Sequence, residues 1–459
     1  MRLMLPLIIG CIATGVVAGS EDTNLSTQHD TNKTVVAEWT TQCKANYNGN
    51  PDVMLRPGLI ANRKTRQVEF FAEATGIRPD EILEFFLIGE KSGNDYEALA
   101  IALTEPIHIY DAMVFIGMTP GRGVDSAKLQ FWPKGERIHM TIDSHRAESL
   151  IIDSETGAPL VSDGFIFIGS KFISSEPPED ATTLAAQTRS PYAIAANYNE
   201  AEALFDVPYS APQTAVYSKQ MLNPEYQFQK GARLSVMIEP EYKNGKQRVQ
   251  ELELVVERGT NAAPALINAK LTLKTSGDSN STTVYALPTL LAQLSAIVDA
   301  GHDPFVTLRF GDEVTIGQLH DLAQLLGAID SEKGIRIEPP VPGQLYYKAF
   351  TPNEDYRDRE ARFLQPWELR LTPSPSGSVT GTVTEITEIW TQGEAKPKIE
   401  TEDHAVTDPN SVYQLLTSRK PDVKVVLVYA PAILTHSQLM TYLEPARKTH
   451  PFVHVYVDP

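Results

Sequence analysis

Asp80, Glu81, Glu84 and Glu97 crowd one short stretch of the chain, and paired carboxylates are the groups that hydrolyse glycosidic bonds. One serves as acid while a second serves as base or nucleophile. A chain with 58 acidic and 40 basic residues brings such groups together by chance, however. An envelope hydrolase using carboxylates of the first domain is therefore the alternative reading, not the leading one. Residues 117–123 (GMTPGRG) carry glycine amides that could cradle a phosphate. They lack the Gly-Lys-Ser/Thr ending of a P-loop and follow a helical stretch instead of opening one, so a helix stop and turn explains them. None of the ten histidines sits in His-Glu-x-x-His or beside a cysteine cluster, and no Gly-x-Ser-x-Gly elbow exists. The sequence assigns no catalytic residue, no cofactor and no metal ligand.

A different spacing occurs twice. Residues 314–319 read VTIGQL and residues 434–439 read LTHSQL. Thr-x-x-Gln at a helix start is a capping box: Thr315 or Thr435 caps the third amide, while Gln318 or Gln438 reaches back to the first. Thr351 and Glu354, with Pro352 between them, form a third such start. The stretch it opens, residues 351–371, holds Arg357, Arg359, Arg362 and Trp367. Arg and Trp favour interfaces, so these four are the candidate partner-binding residues. That is the alternative; the leading reading is a structural clasp between the two copies, with Asp355–Arg359 and Asp358–Arg362 paired along one helix face. Pro366 ends that helix, and Trp367, Leu369 and Leu371 alternate as a strand edge does.

These residues need elements to hold them. At 459 residues the chain is too long for one ordinary core. It opens with Arg2, an apolar run from Leu3 to Val17 and a switch to acid at Glu21, the order of a cleaved signal over residues 1–18. A lipoprotein anchored through Cys11 is the alternative. Residues 19–52 are polar and without periodicity, which predicts a flexible leader carrying Cys43. Residues 53–258 read as a β-rich domain with one or two helices. After it, helices and strands alternate in two α/β modules, residues 264–340 and 372–459, joined by an Arg-rich connector over 341–371. Pro288, Gln293 and Leu294 match Pro409, Gln414 and Leu415; Ile335 and Ile337 match Val453 and Val455. Such echoes in one order predict an internal repeat of two helices on a mixed sheet. The fold class is thus a multidomain chain of α+β and α/β type. A net charge of −18 argues against binding a phosphate backbone, and no Lys/Arg run marks a local basic patch; no second apolar run predicts a membrane span.

Residues 55–240 resemble the YdjY family of bacterial envelope-associated proteins. The segments that carry it are ILEFFLIGEKSGNDYEALAIALTEPIHIYDAMVFIGMTPG, DGFIFIGSKFI and VYSKQMLNPEYQFQKGARLSVMIEP. That resemblance implies no enzymatic activity. An iron–sulfur site would need about four thiolates, and the chain has two cysteines. Residues 264–339, and more weakly 372–459, are similar to the periplasmic domain of the ExbD/TolR group. The carrying segment is LPTLLAQLSAIVDAGHDPFVTLRFGDEVTIGQLHDLAQLLGAI. This implies a module that contacts cell wall or partner proteins beside a membrane motor. The group's ion-responsive Asp lies in a helix that neither copy here possesses, so proton coupling is not implied.

The expected function is that of an exported, non-enzymatic binding or scaffolding protein of a bacterial envelope. Its expected partner is an envelope protein or peptidoglycan. An accessory subunit of an ExbB/ExbD-type complex is a further alternative.

Overall fold

A computed structural model describes residues 25–160, 164–174, 182–242, 248–259, 270–275, 283–350, 367–375, 377–391, 398–418, 425–448, 450 and 452–458. The chain forms two compact units, residues 1–122 with 138–241, and residues 123–137 with 242–459. Among the described residues, eight helices and many strands give a mixed α+β architecture that is mostly sheet.

The first unit opens with a correction. The polar stretch expected to be a flexible leader is a 22-residue helix, α1 (Leu25–Asn46). Its buried positions are Asn32, Val36, Thr40 and Cys43, which recur at the three-to-four spacing of one helix face. Two of the four are polar, so no hydrophobic stripe marks the helix. Hydrogen bonds replace apolar contact there. Asn32 Nδ2 donates to Glu73 Oε2 (2.8 Å) and to the Gly231 carbonyl (2.9 Å), and Thr40 Oγ1 accepts the Gly58 amide at 3.0 Å. Trp39 meets Phe71 edge-on at 5.0 Å. Gly58 has φ +71°, and a Cβ there would lie 2.7 Å from the Leu103 carbonyl oxygen and 3.0 Å from Val36 Cγ1 of α1, so glycine lets the helix approach this closely.

The strands of this unit are β1 (Val53–Arg56), β2 (Leu59–Asn62), β3 (Gln67–Ala74), β4 (Phe85–Ile88), β5 (Ala98–Ala102), β6 (Glu136–Ile142), β7 (Phe165–Phe167), β8 (Ala193–Ala196), β9 (Phe205–Asp206) and β10 (Arg233–Pro240). Their pairing runs β3-β10-β6-β7-β9-β8-β4-β5, and β5 pairs back with β3. Eight strands thus close on themselves, which leaves no free edge in the ring. One core gathers Phe70, Phe86, Phe165, Phe167, Phe205 and Met140 with aliphatic neighbours. Burying each such side chain contributes roughly 1.5–3 kcal/mol. Helix α2 (Pro106–Phe115) adds Ile109, Ala112 and Met113 to that core. It stops at Gly117, φ +87°, where the Arg66 guanidinium donates to the Ile116 carbonyl at 3.2 Å.

The second unit contains two five-stranded sheets. The first joins β11 (Val249–Glu257), β12 (Lys270–Thr275), β13 (Thr283–Tyr285), β14 (Asp303–Phe310) and β15 (Arg336–Ile337), with helices α3 (Leu287–Asp299) and α4 (Ile316–Lys333). Its order is β13-β12-β11-β14-β15; β11, β14 and β15 run parallel and the rest antiparallel. The second joins β16 (Trp367–Pro373), β17 (Val379–Ile389), β18 (Lys398–Val406), β19 (Val425–Pro431) and β20 (Phe452–Asp458), with α5 (Pro409–Ser418) and α6 (His436–Arg447). Its order is β18-β17-β16-β19-β20, with the same directions. Alternation places Leu252, Leu254 and Val256, or Trp367, Leu369 and Leu371, in one shared core, with Glu253 or Arg370 on the other face.

Two expected boundaries move. Residues 249–257, read as the end of the first domain, form the central strand of the first module. Residues 367–371, read as the connector's edge strand, are central in the second. Residues 123–137 also belong to this second unit. Arg137 forks onto Asp303 (2.9 and 3.0 Å), Arg336 adds a contact at 3.1 Å, and Arg336 lies over the Trp132 ring at 5.0 Å. Burial pushes the Asp303 carboxyl up, but Arg137, Arg336 and Arg248 outweigh it and hold the carboxyl below its usual range.

Candidate functional site

The repeated Thr-x-x-Gln sites stand face to face. Thr315 and Thr435 oppose each other in an isolated antiparallel bridge. Every free amide at these two helix starts has a partner. In α4 the Thr315 amide donates to Gln318 Oε1 (3.1 Å) and the Gln318 amide to Thr315 Oγ1 (3.3 Å). In α6 the corresponding distances are 2.9 and 3.3 Å. The two amides between are satisfied by the opposing segment. Ile316 and Gly317 donate to the Leu434 and Ala432 carbonyls (2.7 and 2.9 Å), while His436 and Ser437 donate to those of Val314 and Asp312 (2.7 and 3.1 Å). All four orphan donors of each helix start are thereby accounted for. The His436 ring is buried, edge-on to Phe310 at 5.6 Å, with neither nitrogen hydrogen-bonded among the described residues. Burial pushes its pKa down to about 4, against the opposing pull of Asp312.

The carboxylates named from the sequence separate into two kinds. Asp80 and Glu81 are surface partners of Arg78. Glu84 and Glu97 precede the parallel pair β4 and β5, and the Glu84 amide donates to the Glu97 carbonyl at 2.9 Å. Glu84 is buried; its Oε2 accepts from Gln213 at 2.9 Å and its Oε1 has no hydrogen-bond partner among the described residues. Burial, and then the charge of Glu84, push the Glu97 carboxyl above its usual range, with the Tyr96 hydroxyl pulling the other way. Nearby, Tyr198 donates to Glu200 at 3.3 Å, and burial raises the Glu200 carboxyl. Asp206 is wholly buried, accepts from Asn199 at 3.1 Å and is raised well above the carboxylate range by that burial. A carboxyl whose proton is held more tightly in this way is better placed to act as an acid. Asp206 has no exposure through which to do so, and Glu97 is the accessible member.

Helix α1 borders a recess of about 360 Å³ lined by His29, Glu73, Thr75, Glu90, Asp95 and Lys230. His29 reaches Glu73 and Glu90 at 3.1 Å each, and Lys33 also pairs with Glu90. These groups answer one another and hold the helix to the barrel. Cys43, expected in a loose segment, is buried in α1, where burial and then Glu69 raise its thiol pKa.

Of the candidate partner-binding residues, Arg357, Arg359 and Arg362 lie outside the described residues, as do the cap residues Thr351 and Glu354. Trp367 is only 1% exposed and belongs to the second module's core, so it cannot meet a partner. Its place on a strand packed under helices explains the burial. The second module instead exposes its hairpin. The edge strand β18 is exposed from Lys398 to Asp403, and Ile389, Trp390 and Ile399 stand at the hairpin's end. On the face away from the core, Arg370 lies 4.5 Å above the Tyr429 ring, which stacks on the buried Tyr456. The first module's open face is covered by ion pairs, Glu253 with Arg309 and Lys274, and Glu257 with Lys270.

One group among the described residues has the composition of a metal site: Glu385, Glu402 and His404. Neither a helical spacing nor a cysteine marks it in the sequence. Glu402-x-His404 is the corresponding signal in a strand, where alternate residues share a face.

No family model matches the chain, and no curated protein matches it. A solved structure of a foamy viral protease-reverse transcriptase in complex with an RNA/DNA hybrid is similar at 9% identity, covering 46% of this chain and 36% of that one, with a TM-score of 0.13. A likeness of that size carries no argument. No helix among the described residues is long and apolar enough to cross a membrane.

Proposed function

We propose that the protein is an exported, non-catalytic binding or scaffolding protein of the cell envelope, built from a β-rich domain and a duplicated α/β module. Equal strand order and direction in the two sheets, with capping boxes at matching helix starts, support the duplication. The likeness to the YdjY and ExbD/TolR groups rests on the sequence segments named above, and export rests on residues 1–18.

The single observation that carries the binding role is the second module's edge. Among the described residues the nine-residue strand β18 is the outermost of its sheet, with β17 as its one sheet neighbour, beside exposed Trp390, Ile389 and Ile399. Free edges are templates for strand addition, and proteins normally shorten or cover them. The edge carries Glu400, Glu402 and Asp403 against one Lys398, which suits an extended basic segment of an envelope protein.

The test is retention of envelope proteins on the immobilised chain, run beside co-sedimentation with insoluble peptidoglycan. A protein captured by the parent chain and lost with Trp390→Ala plus Ile399→Lys supports the reading. No retention on either material sinks it. The Glu84–Glu97 pair favours a second reading, carboxylate hydrolysis. In the same assay it would release soluble peptidoglycan fragments, and Glu97→Gln would stop the release.

A further inference from the structure

We propose that the second module binds a divalent transition-metal ion between Glu385, Glu402 and His404. The site shares Glu402 with the acidic edge proposed above, but its metal titration involves no partner, so the two readings fail separately. Glu402 and His404 alternate along β18, so both project from one face, and Glu385 is the direct cross-strand partner of Glu402. One ligand atom from each lies within 4.8 Å of the other two. His404 Nε2 is 3.7 Å from Glu402 Oε1 and 4.0 Å from Glu385 Oε2. Donors around an ion at about 2.0–2.2 Å stand roughly 3–3.5 Å apart, so small side-chain rotations close the site.

Three further observations point to a cation. Two glutamates directly opposed on an antiparallel pair repel each other, and an ion between them turns that cost into attraction. The side chains of Glu385 and His404 are only 12% and 16% exposed while Glu402 is 63% exposed, so the group is walled on one side and open to water on the other. The fold does not require these residues. In the first module, the register that matches Glu385 and His404 falls on Thr275 and Thr283. One imidazole nitrogen with two carboxylates suits Zn²⁺, Mn²⁺ or Co²⁺, whereas Ca²⁺ takes oxygen ligands alone.

The test is titration of the full chain, freed of metal by chelator, with Zn²⁺, Mn²⁺ and Co²⁺. Calorimetry reads affinity and the histidine ring resonances read the ligand. We expect one ion per chain, a perturbed His404 ring, at least about 10-fold weaker binding in Glu402→Gln and loss of binding in His404→Ala. Glu402 is mostly exposed, so its variant keeps the fold and the comparison stays valid if His404→Ala does not. Failure of all three ions to bind below about 1 mM overturns the proposal. So does binding that is unchanged in Glu402→Gln and leaves the His404 resonances unmoved.

Discussion

The two α/β modules share a topology and differ in what they carry. Their central strands read Leu252-Glu253-Leu254 and Trp367-Glu368-Leu369 at the same register against Val306 and Val426. Their second helices begin with the same cap. Yet the first residue of that helix is Ile316 in one and His436 in the other, both buried. The outer strand of the hairpin is three residues in the first module and nine in the second. The first module spends its charges on internal pairs, Asp303 with two arginines and Glu253 with Arg309 and Lys274. The second places a histidine–carboxylate group and a long edge where the first has threonines and a short strand, and it exposes Ile389, Trp390 and Ile399 at its hairpin. Apolar positions and helix caps hold the topology, and positions outside both are free to diverge in chemistry.

Breaking the first module's buried pair gives the largest expected effect. Arg137→Ala removes the forked partner of Asp303, whose side chain is 4% exposed, and leaves the Arg336 contact at 3.1 Å. Removing one member of such a pair costs about 3–5 kcal/mol, read as a fall in the urea midpoint for the second unit. The carboxyl is held below its unfolded value, so its stabilisation is present above that unfolded value and is lost as pH falls through the folded one. A variant as stable as the parent would show that the aromatic contacts of residues 123–137 suffice without the ion pair.

His436→Ile tests the next difference by giving the second module the first module's residue. A histidine pushed down to about 4 from 6.5 is neutral when folded. The unfolded chain therefore takes up protons first, and stability falls as pH drops from 6.5 towards 4, by up to about 3 kcal/mol. Stability measured between pH 7 and pH 4 should flatten in the variant. An unchanged slope would assign the acid sensitivity to the carboxylates instead.

Much of this comparison is legible in the sequence, for reasons that vary by element. The capping boxes were readable because Thr315, Gln318 and their counterparts act through local spacing alone. The strands were readable where one face is apolar, as in Leu252-x-Leu254-x-Val256. Helix α1 was not, because Asn32 and Thr40 occupy its buried face and are satisfied by groups far along the chain, Glu73, Gly231 and Gly58. Nor was the burial of Trp367, since alternation alone does not distinguish an edge strand from a central one. Glu385 lies 17 residues before Glu402, and only the hairpin register joins them. Long-range satisfaction of polar groups was the part the sequence withheld.

The smallest expected effect concerns the feature that the modules share most closely. Removing a cap threonine costs about 1 kcal/mol, so Thr315→Ala and Thr435→Ala should each lower stability by that amount if the caps are only local. The geometry argues for more than local action. Thr315 and Thr435 oppose each other, and the amides beside them, from Ile316, Gly317, His436 and Ser437, bond to carbonyls of the opposite segment. Loosening one helix start therefore moves the acceptors that the other relies on. Residues within one hydrogen-bonded network couple by about 0.5–3 kcal/mol, whereas distant sites add. Urea unfolding of both single variants and the double variant closes the cycle. We expect the double variant to lose less than the sum, because the first cap removed already disturbs the seam. Simple additivity would show that the two caps act as separate helix starts that happen to lie side by side.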